Sequence, residues 1–259
     1  MLLPTFNILL VVETFLAFAL AVSIHEAAHA GMAALLGDAA PVGVGRLSLA
    51  PRRQMAAIGT IVGIVFSVSL IPGGLGWGRP VDVDARRLRV GPNFGLILVA
   101  LTGPLANLLI GVLILFGLTL IPGYTTLDPA LIHCQGQPVG QALQTCLSVH
   151  SQSVPLLRFN QLAYTFAVTN IILALINIIP LHPLDGYRIV FALLPAPQAI
   201  SFRRLEPFME LGLLVLFFVL PILFGFLRIP FNLGQNFIGW AQQIAASIAP
   251  SIGQFYLLL

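Results

Sequence analysis

The stretch 19-ALAVSIHEAAHAGMAALLG-37 decides which fold and which chemistry we expect, because it places three ionisable side chains inside an apolar run. That run begins near residue 6 and is interrupted by His25, Glu26 and His29. In a helix, His25 and His29 share a face, so both imidazoles can reach one ion, whereas Glu26 projects about 100° further round. This HExxH pattern is typical of two zinc ligands and a general base.

Two interpretations of the pattern compete. A lone histidine on an apolar face is more often a packed core residue than a ligand, and HExxH also occurs by chance in ordinary helices. However, ionisable side chains inside a membrane helix are costly and usually mark a functional site. Three of them so close together favour one Zn2+ per chain, held by His25 and His29, with Glu26 as the base that takes a proton from water.

The composition of the whole chain indicates a membrane protein. Of its 259 residues, 58% are hydrophobic and 8% are charged, and the mean hydropathy is +0.98, far above the range of soluble domains. A membrane helix needs about 20 apolar residues. We therefore predict an all-α polytopic membrane protein, a helical bundle with spans at about 6–36, 94–121, 159–180 and 207–226.

Two further apolar segments leave the number of spans open. Residues 56–72 are short for a span, and their Gly59 and Gly63 would suit close packing against a neighbouring helix. Residues 232–259 carry several glutamines and could form a last span or lie in the interface.

The arginines predict the orientation of the chain, which contains no lysine. Segments 38–55, 73–93 and 181–206 are rich in arginine, whereas 122–157 has none. Because basic loops stay in the cytoplasm, the first three should lie inside the cell membrane and 122–157 outside, with the N-terminus also outside. On this topology 56–72 dips into the membrane and returns. The arginines flank spans without interleaved aromatics, so we expect no nucleic-acid partner.

Both cysteines of the chain, Cys134 and Cys146, fall in the predicted outer loop. A disulfide between them is plausible in an oxidising compartment, and two unpaired thiols are the alternative.

A third zinc ligand must come from elsewhere in the chain. Glu13 lies about 20 Å along the same helix from Glu26, too far to share an ion. The other acids, apart from Asp185, belong to predicted loops or to the start of a span: Asp38, Asp82, Asp84, Asp128, Glu206 and Glu210. Asp185 remains. It follows a helix that Pro180 and Pro183 should break, and it reaches the same inner boundary of the membrane as His25.

Three motifs in this order resemble the site-2 protease family of intramembrane zinc metalloproteases. They are HEAAH at 25–29, GPLAN at 103–107 and NIIPLHPLDG at 177–186, and the resemblance covers about 20–195. It implies that His25, His29 and Asp185 bind zinc and that Glu26 is catalytic. It also implies that Asn177, and less clearly Asn107, binds the substrate.

The resemblance implies further properties of the fold and of the partners. Segments 45–53 and 76–84 resemble a small membrane-associated β element between the first two core helices, which would hold an unwound substrate along its edge. Single-span membrane proteins would be cut within the lipid bilayer, near its cytoplasmic side, after an upstream protease has trimmed them. We expect a compact form without a PDZ or CBS domain, with 1–259 as one membrane-embedded peptidase domain. His182 is either a hydrogen-bond partner, a competing ligand or a solvated side chain.

Two other functions compete with the protease. A membrane protein that binds zinc or client helices without cutting them would have no need of Glu26. Another HExxH protease class takes its third ligand from a glutamate, which the LDG context of Asp185 disfavours.

Overall fold

The fold was examined in a computed structural model that describes residues 8–68, 78–120, 154–227 and 233–248. These residues are mostly helical, as the sequence predicts. Cys134 and Cys146 lie outside the described residues, so their disulfide stays a prediction.

Described helices overlap each of the four predicted spans, and the span predicted over 207–226 is divided into two α-helices. In chain order the described helices are α1 Ile8–Leu36, α2 Ala40–Gly43, α3 Pro51–Gln54, α4 Ala57–Val68, α5 Pro92–Thr119, α6 Val154–Asn177, α7 Asp185–Leu193, α8 Ala196–Arg203, α9 Glu206–Leu214, α10 Leu220–Phe226 and α11 Leu233–Ile248. A π-helical segment, Val215–Val219, separates α9 from α10.

Helices α1, α5 and α6 pack against one another and form the core that carries the site. Small residues allow the close approach: a Cβ on Gly111 of α5 would lie 2.7 Å from Ile171 Cγ1 and 2.8 Å from the Ala167 carbonyl of α6. A Cβ on Gly63 of α4 would collide with the ring of Phe18 on α1, so this glycine of the 56–72 segment packs closely against a neighbouring helix, as predicted.

Two of the described helices are long and apolar enough to cross a membrane, by length and composition. They run over Val11–Leu36 and Pro92–Thr119, and together with the family comparison below they indicate a membrane protein. The apolar part of α6, Leu162–Asn177, is shorter. The number of spans and the orientation therefore stay predictions.

The predicted β element is wrong for the described part of the connector between α1 and α5, which comprises residues 37–68 and 78–91. There we find turns, short helices and a single bridge between Met55 and Gly78. Side-chain hydrogen bonds take the place of the backbone hydrogen bonds that paired strands would make. Gln54 Nε2 donates to the carbonyls of Arg46 and Ser48. Pro80 also lacks the amide donor that a strand would need.

The chain breaks between α6 and α7, as its prolines predict. Helix α6 ends at Asn177, and α7 begins at Asp185. A Cβ on Gly186 would collide with the carbonyl oxygens of Ile178 and Ile179. Only glycine therefore lets the first turn of α7 fold back against the end of α6, which brings Asp185 to α1.

Candidate metal centre

Three donor atoms from α1 and α7 converge in the core, and we call them the donor cluster. Asp185 Oδ2 lies 2.9 Å from His25 Nε2 and 3.1 Å from His29 Nε2, and the two Nε2 atoms are 3.1 Å apart. All three residues are buried. Ligand atoms of a tetrahedral zinc site with bonds of about 2.1 Å would be separated by about 3.4 Å. The spacing of the donor cluster is close to that value.

The hydrogen bond of His29 shows why a cation fits between these atoms. Its Nδ1 lies 2.7 Å from the backbone carbonyl of Val99 on α5 and donates to it. In the neutral imidazole the Nε2 lone pair then faces the carboxylate oxygen of Asp185, so two acceptors oppose each other. A metal ion at the centre would resolve this repulsion, and the hydrogen bond to the carbonyl of Val99 would orient the ring for ligation.

Gly103, from the GPLAN motif, supports the donor cluster from α5. A Cβ at this position would lie 2.5 Å from His29 Cε1 and 2.7 Å from His25 Cε1. Real Cβ atoms do not approach so closely, so α5 can lie against both imidazoles only with glycine here. The resemblance carried by GPLAN implies a role for Asn107, whereas the structure brings Gly103 of the same motif to the imidazoles.

Glu26 lies beside the donor cluster, on what we call the base side. Its carboxylate is buried, and Gly78 of the connector packs directly against it, since a Cβ there would lie 2.7 Å from Glu26 Cγ. Arg46 Nη2 lies 3.6 Å from Glu26 Oε2. The same guanidinium donates to the carbonyls of Arg53 and Arg79, so it joins both described parts of the connector to Glu26.

The charge of Arg46 is retained despite its burial. Desolvation lowers the pKa of this guanidinium, and the nearby carboxylate of Glu26 opposes that change. Arginine stays protonated throughout the physiological range, so Glu26 faces a fixed positive charge.

One cavity connects the donor cluster, the base side and the break between α6 and α7. Its apolar lining includes Val22 and Leu173. Its polar lining consists of six side chains: His25, Glu26, His29, Asn177, Asp185 and Arg188. Asn177 Nδ2 donates to the carbonyl of Leu173, 2.9 Å away, which leaves its Oδ1 available to a ligand. Arg188 is a residue of this cavity that the sequence interpretation did not identify.

The other two predicted residues lie away from the cavity. Asn107 is fully buried on α5, and neither atom of its amide has a hydrogen-bond partner in the described structure. His182 Nδ1 lies 3.0 Å from Glu210 Oε1 on α9 rather than at the donor cluster. Its ring also packs edge-on against Tyr187, whose hydroxyl donates to Glu206 Oε1 at 2.7 Å. These contacts hold the segment between α6 and α7, together with the first turn of α7, against α9.

Comparison with known proteins connects this geometry to a family. The sequence profile described as Peptidase family M50 matches residues 13–220. A protein of Bacillus subtilis (strain 168), named "Putative zinc metalloprotease YwhC", is 31% identical over 195 residues, which cover 75% of each chain. No solved structure matches the chain with comparable significance.

Proposed function

The chain belongs to peptidase family M50, the site-2 protease family, and is a zinc metalloprotease; from this premise we propose that it is an intramembrane endopeptidase. Its substrates would be the transmembrane segments of membrane-anchored proteins, cut near the cytoplasmic side of the bilayer.

One observation carries the proposal: the HExxH motif lies within a helix that is apolar and long enough to cross a membrane, Val11–Leu36. Here His25, Glu26 and His29 are buried among the core helices, and the cavity beside them is partly apolar. Such a site suits a substrate that is itself apolar.

The donor cluster would hold the metal, with His25, His29 and Asp185 as its protein ligands. Zinc, when bound, supplies Lewis-acid chemistry by lowering the pKa of water and polarising a carbonyl. The contact between His29 Nδ1 and Val99 and the glycine at position 103 keep both imidazoles oriented for this task.

Glu26 would act as the base and then as the acid. The oxygen of a water molecule bonds to the scissile carbonyl carbon, its proton passes to Glu26, and the π electron pair moves onto the carbonyl oxygen. The C–N bond then breaks, the electron pair re-forms the carbonyl, and Glu26 delivers the proton to the leaving amine. Asn177 would hold the unwound backbone of the substrate by accepting an amide hydrogen at Oδ1.

The proposal extends to topology and partners. The arginine distribution supports a multi-pass protein of the cell membrane whose N-terminus would lie outside and whose active site would lie near the cytoplasmic face. The substrates would be single-span proteins, and an upstream protease acting first on the same substrate would remove their outer domains.

Proteolysis by the purified protein tests the proposal. Wild-type protein in detergent and in liposomes is incubated with a panel of single-span proteins whose outer domains have been removed, and the products are mapped by mass spectrometry. We expect cuts inside the transmembrane segment, loss of cleavage with a zinc chelator, and recovery when zinc is returned.

Two results would contradict the proposal. Cuts confined to soluble segments would show a metalloprotease that does not act within the membrane. Stable zinc-dependent capture of uncut client helices by the wild type would instead favour a binding protein.

A further inference from the structure

Arg188 is a partly buried arginine that lines the cavity. Its guanidinium makes no hydrogen bond and has no carboxylate within 4.0 Å among the described residues, yet it lines the same cavity as the donor cluster and Glu26. By contrast, a carboxylate lies within 4.0 Å of Arg46, Arg87 and Arg203. A partly buried cation without such a contact is costly, so a ligand is expected to complete it.

The position of Arg188 indicates that its ligand would lie in the cavity beside the donor cluster. It lies three residues after Asp185 on α7, so the two side chains project from the same side of that helix. The guanidinium therefore enters the cavity from the element that also carries a predicted metal ligand. Arg46 cannot serve the same purpose, because two backbone carbonyls and Glu26 already occupy its guanidinium.

We propose that Arg188 is a further catalytic residue, whose guanidinium donates to the scissile carbonyl oxygen as that oxygen becomes negative. This inference rests on the proposed proteolysis. Attack of water moves an electron pair onto the carbonyl oxygen, and a positioned cation in a site poor in water stabilises that charge more than it stabilises the neutral ground state. Arg188 forms no covalent bond and keeps its protons throughout.

The test compares Arg188→Met with wild type, using Arg204→Met as the matched control. Arg204 is an exposed arginine outside the cavity lining. For Arg188→Met we expect kcat to fall about 10²- to 10³-fold, as for loss of one oxyanion donor, with KM and zinc content unchanged. Arg188→Lys should recover part of the rate, since it restores the charge without the planar fork of donors.

Two inhibitors separate this role from a merely structural one. A phosphinic peptide carries a tetrahedral anion in place of the scissile bond, whereas a peptide hydroxamate binds the metal without that geometry. Arg188→Met should lower the affinity for the phosphinic peptide in parallel with the fall in kcat/KM and leave the affinity for the hydroxamate unchanged. Added guanidinium ion should partly restore cleavage by Arg188→Ala.

Several results would overturn the assignment. A rise in KM alone would show that Arg188 binds an acidic substrate side chain, and loss of zinc would show that it only supports the fold. If the wild type cleaves and Arg188→Met cleaves equally well, only this inference fails. If the wild type neither cleaves nor binds the phosphinic peptide, the proposed function fails with it.

Discussion

The donor cluster and the base side meet in one cavity but are held by different kinds of structure. His25 and His29 project from the long helix α1, and α5 supports them through the Val99 carbonyl and Gly103. Glu26 comes from the same turn of α1, yet its surroundings come from the irregular connector, through Gly78 and Arg46. The proposed metal ligands therefore depend on the packing of long helices, whereas the surroundings of the proposed base come from a connector of short helices and turns.

This difference predicts that the two functions can be separated by mutation. Changes on the α5 side should remove zinc and activity together, because the imidazoles lose their orientation. Changes in the connector should leave zinc in place and slow the chemical step, because they move only the base and its charge partner.

Among substitutions in the surroundings of the donor cluster and of Glu26, the largest effect is expected from Gly103→Ala on α5. The added methyl group collides with both imidazoles, so zinc affinity and activity should each fall at least about 100-fold. Metal content after dialysis against a weak chelator measures the first effect. Gly117→Ala on the same helix is the matched control, since its Cβ meets nothing within 4 Å. Full zinc retention by Gly103→Ala would contradict the role given to helix packing.

A smaller effect is expected from Gly78→Ala in the connector. Its methyl group collides with the Glu26 side chain, so kcat should fall about 10- to 100-fold while zinc content stays at the wild-type level. Gly43→Ala, also in the connector and with open space at its Cβ, serves as the control. If Gly78→Ala loses its zinc, the two sides of the cavity are not separable.

The smallest effect is expected from Arg46→Met. The substitution leaves the carbonyls of Arg53 and Arg79 without this donor and removes the positive charge beside Glu26. We expect a loss in kcat of about tenfold, a lower Tm and unchanged zinc content. Arg46→Lys should recover little of the lost rate, because a single ammonium group cannot replace the several donors of the planar guanidinium. Wild-type turnover by Arg46→Met would show that this cation does not position the base.

The sequence predicted the features that follow from local geometry. Helix periodicity puts His25 and His29 on one face, and the prolines explain why α6 ends before Asp185. Gly103 could not be predicted as a neighbour of the imidazoles, since this requires knowing how α5 packs on α1. Arg188 lies three residues after Asp185, and this spacing alone predicts that the two side chains share one face of a helix.

The connector was the least predictable region, for a physical reason. Alternation of apolar and polar residues over 46–49 is too short to specify a strand, and the side chains of Arg46 and Gln54 satisfy carbonyls that a sheet would have paired. Such contacts between side chain and backbone depend on tertiary structure rather than on sequence period.

The most direct test of the account is the zinc content and cleavage activity of Glu26→Gln, measured beside Asp185→Ala on protein purified in the same way. The account predicts that Glu26→Gln keeps one zinc per chain and cleaves nothing, whereas Asp185→Ala loses both zinc and cleavage. Wild-type proteolysis by Glu26→Gln, or full zinc occupancy in Asp185→Ala, would contradict it.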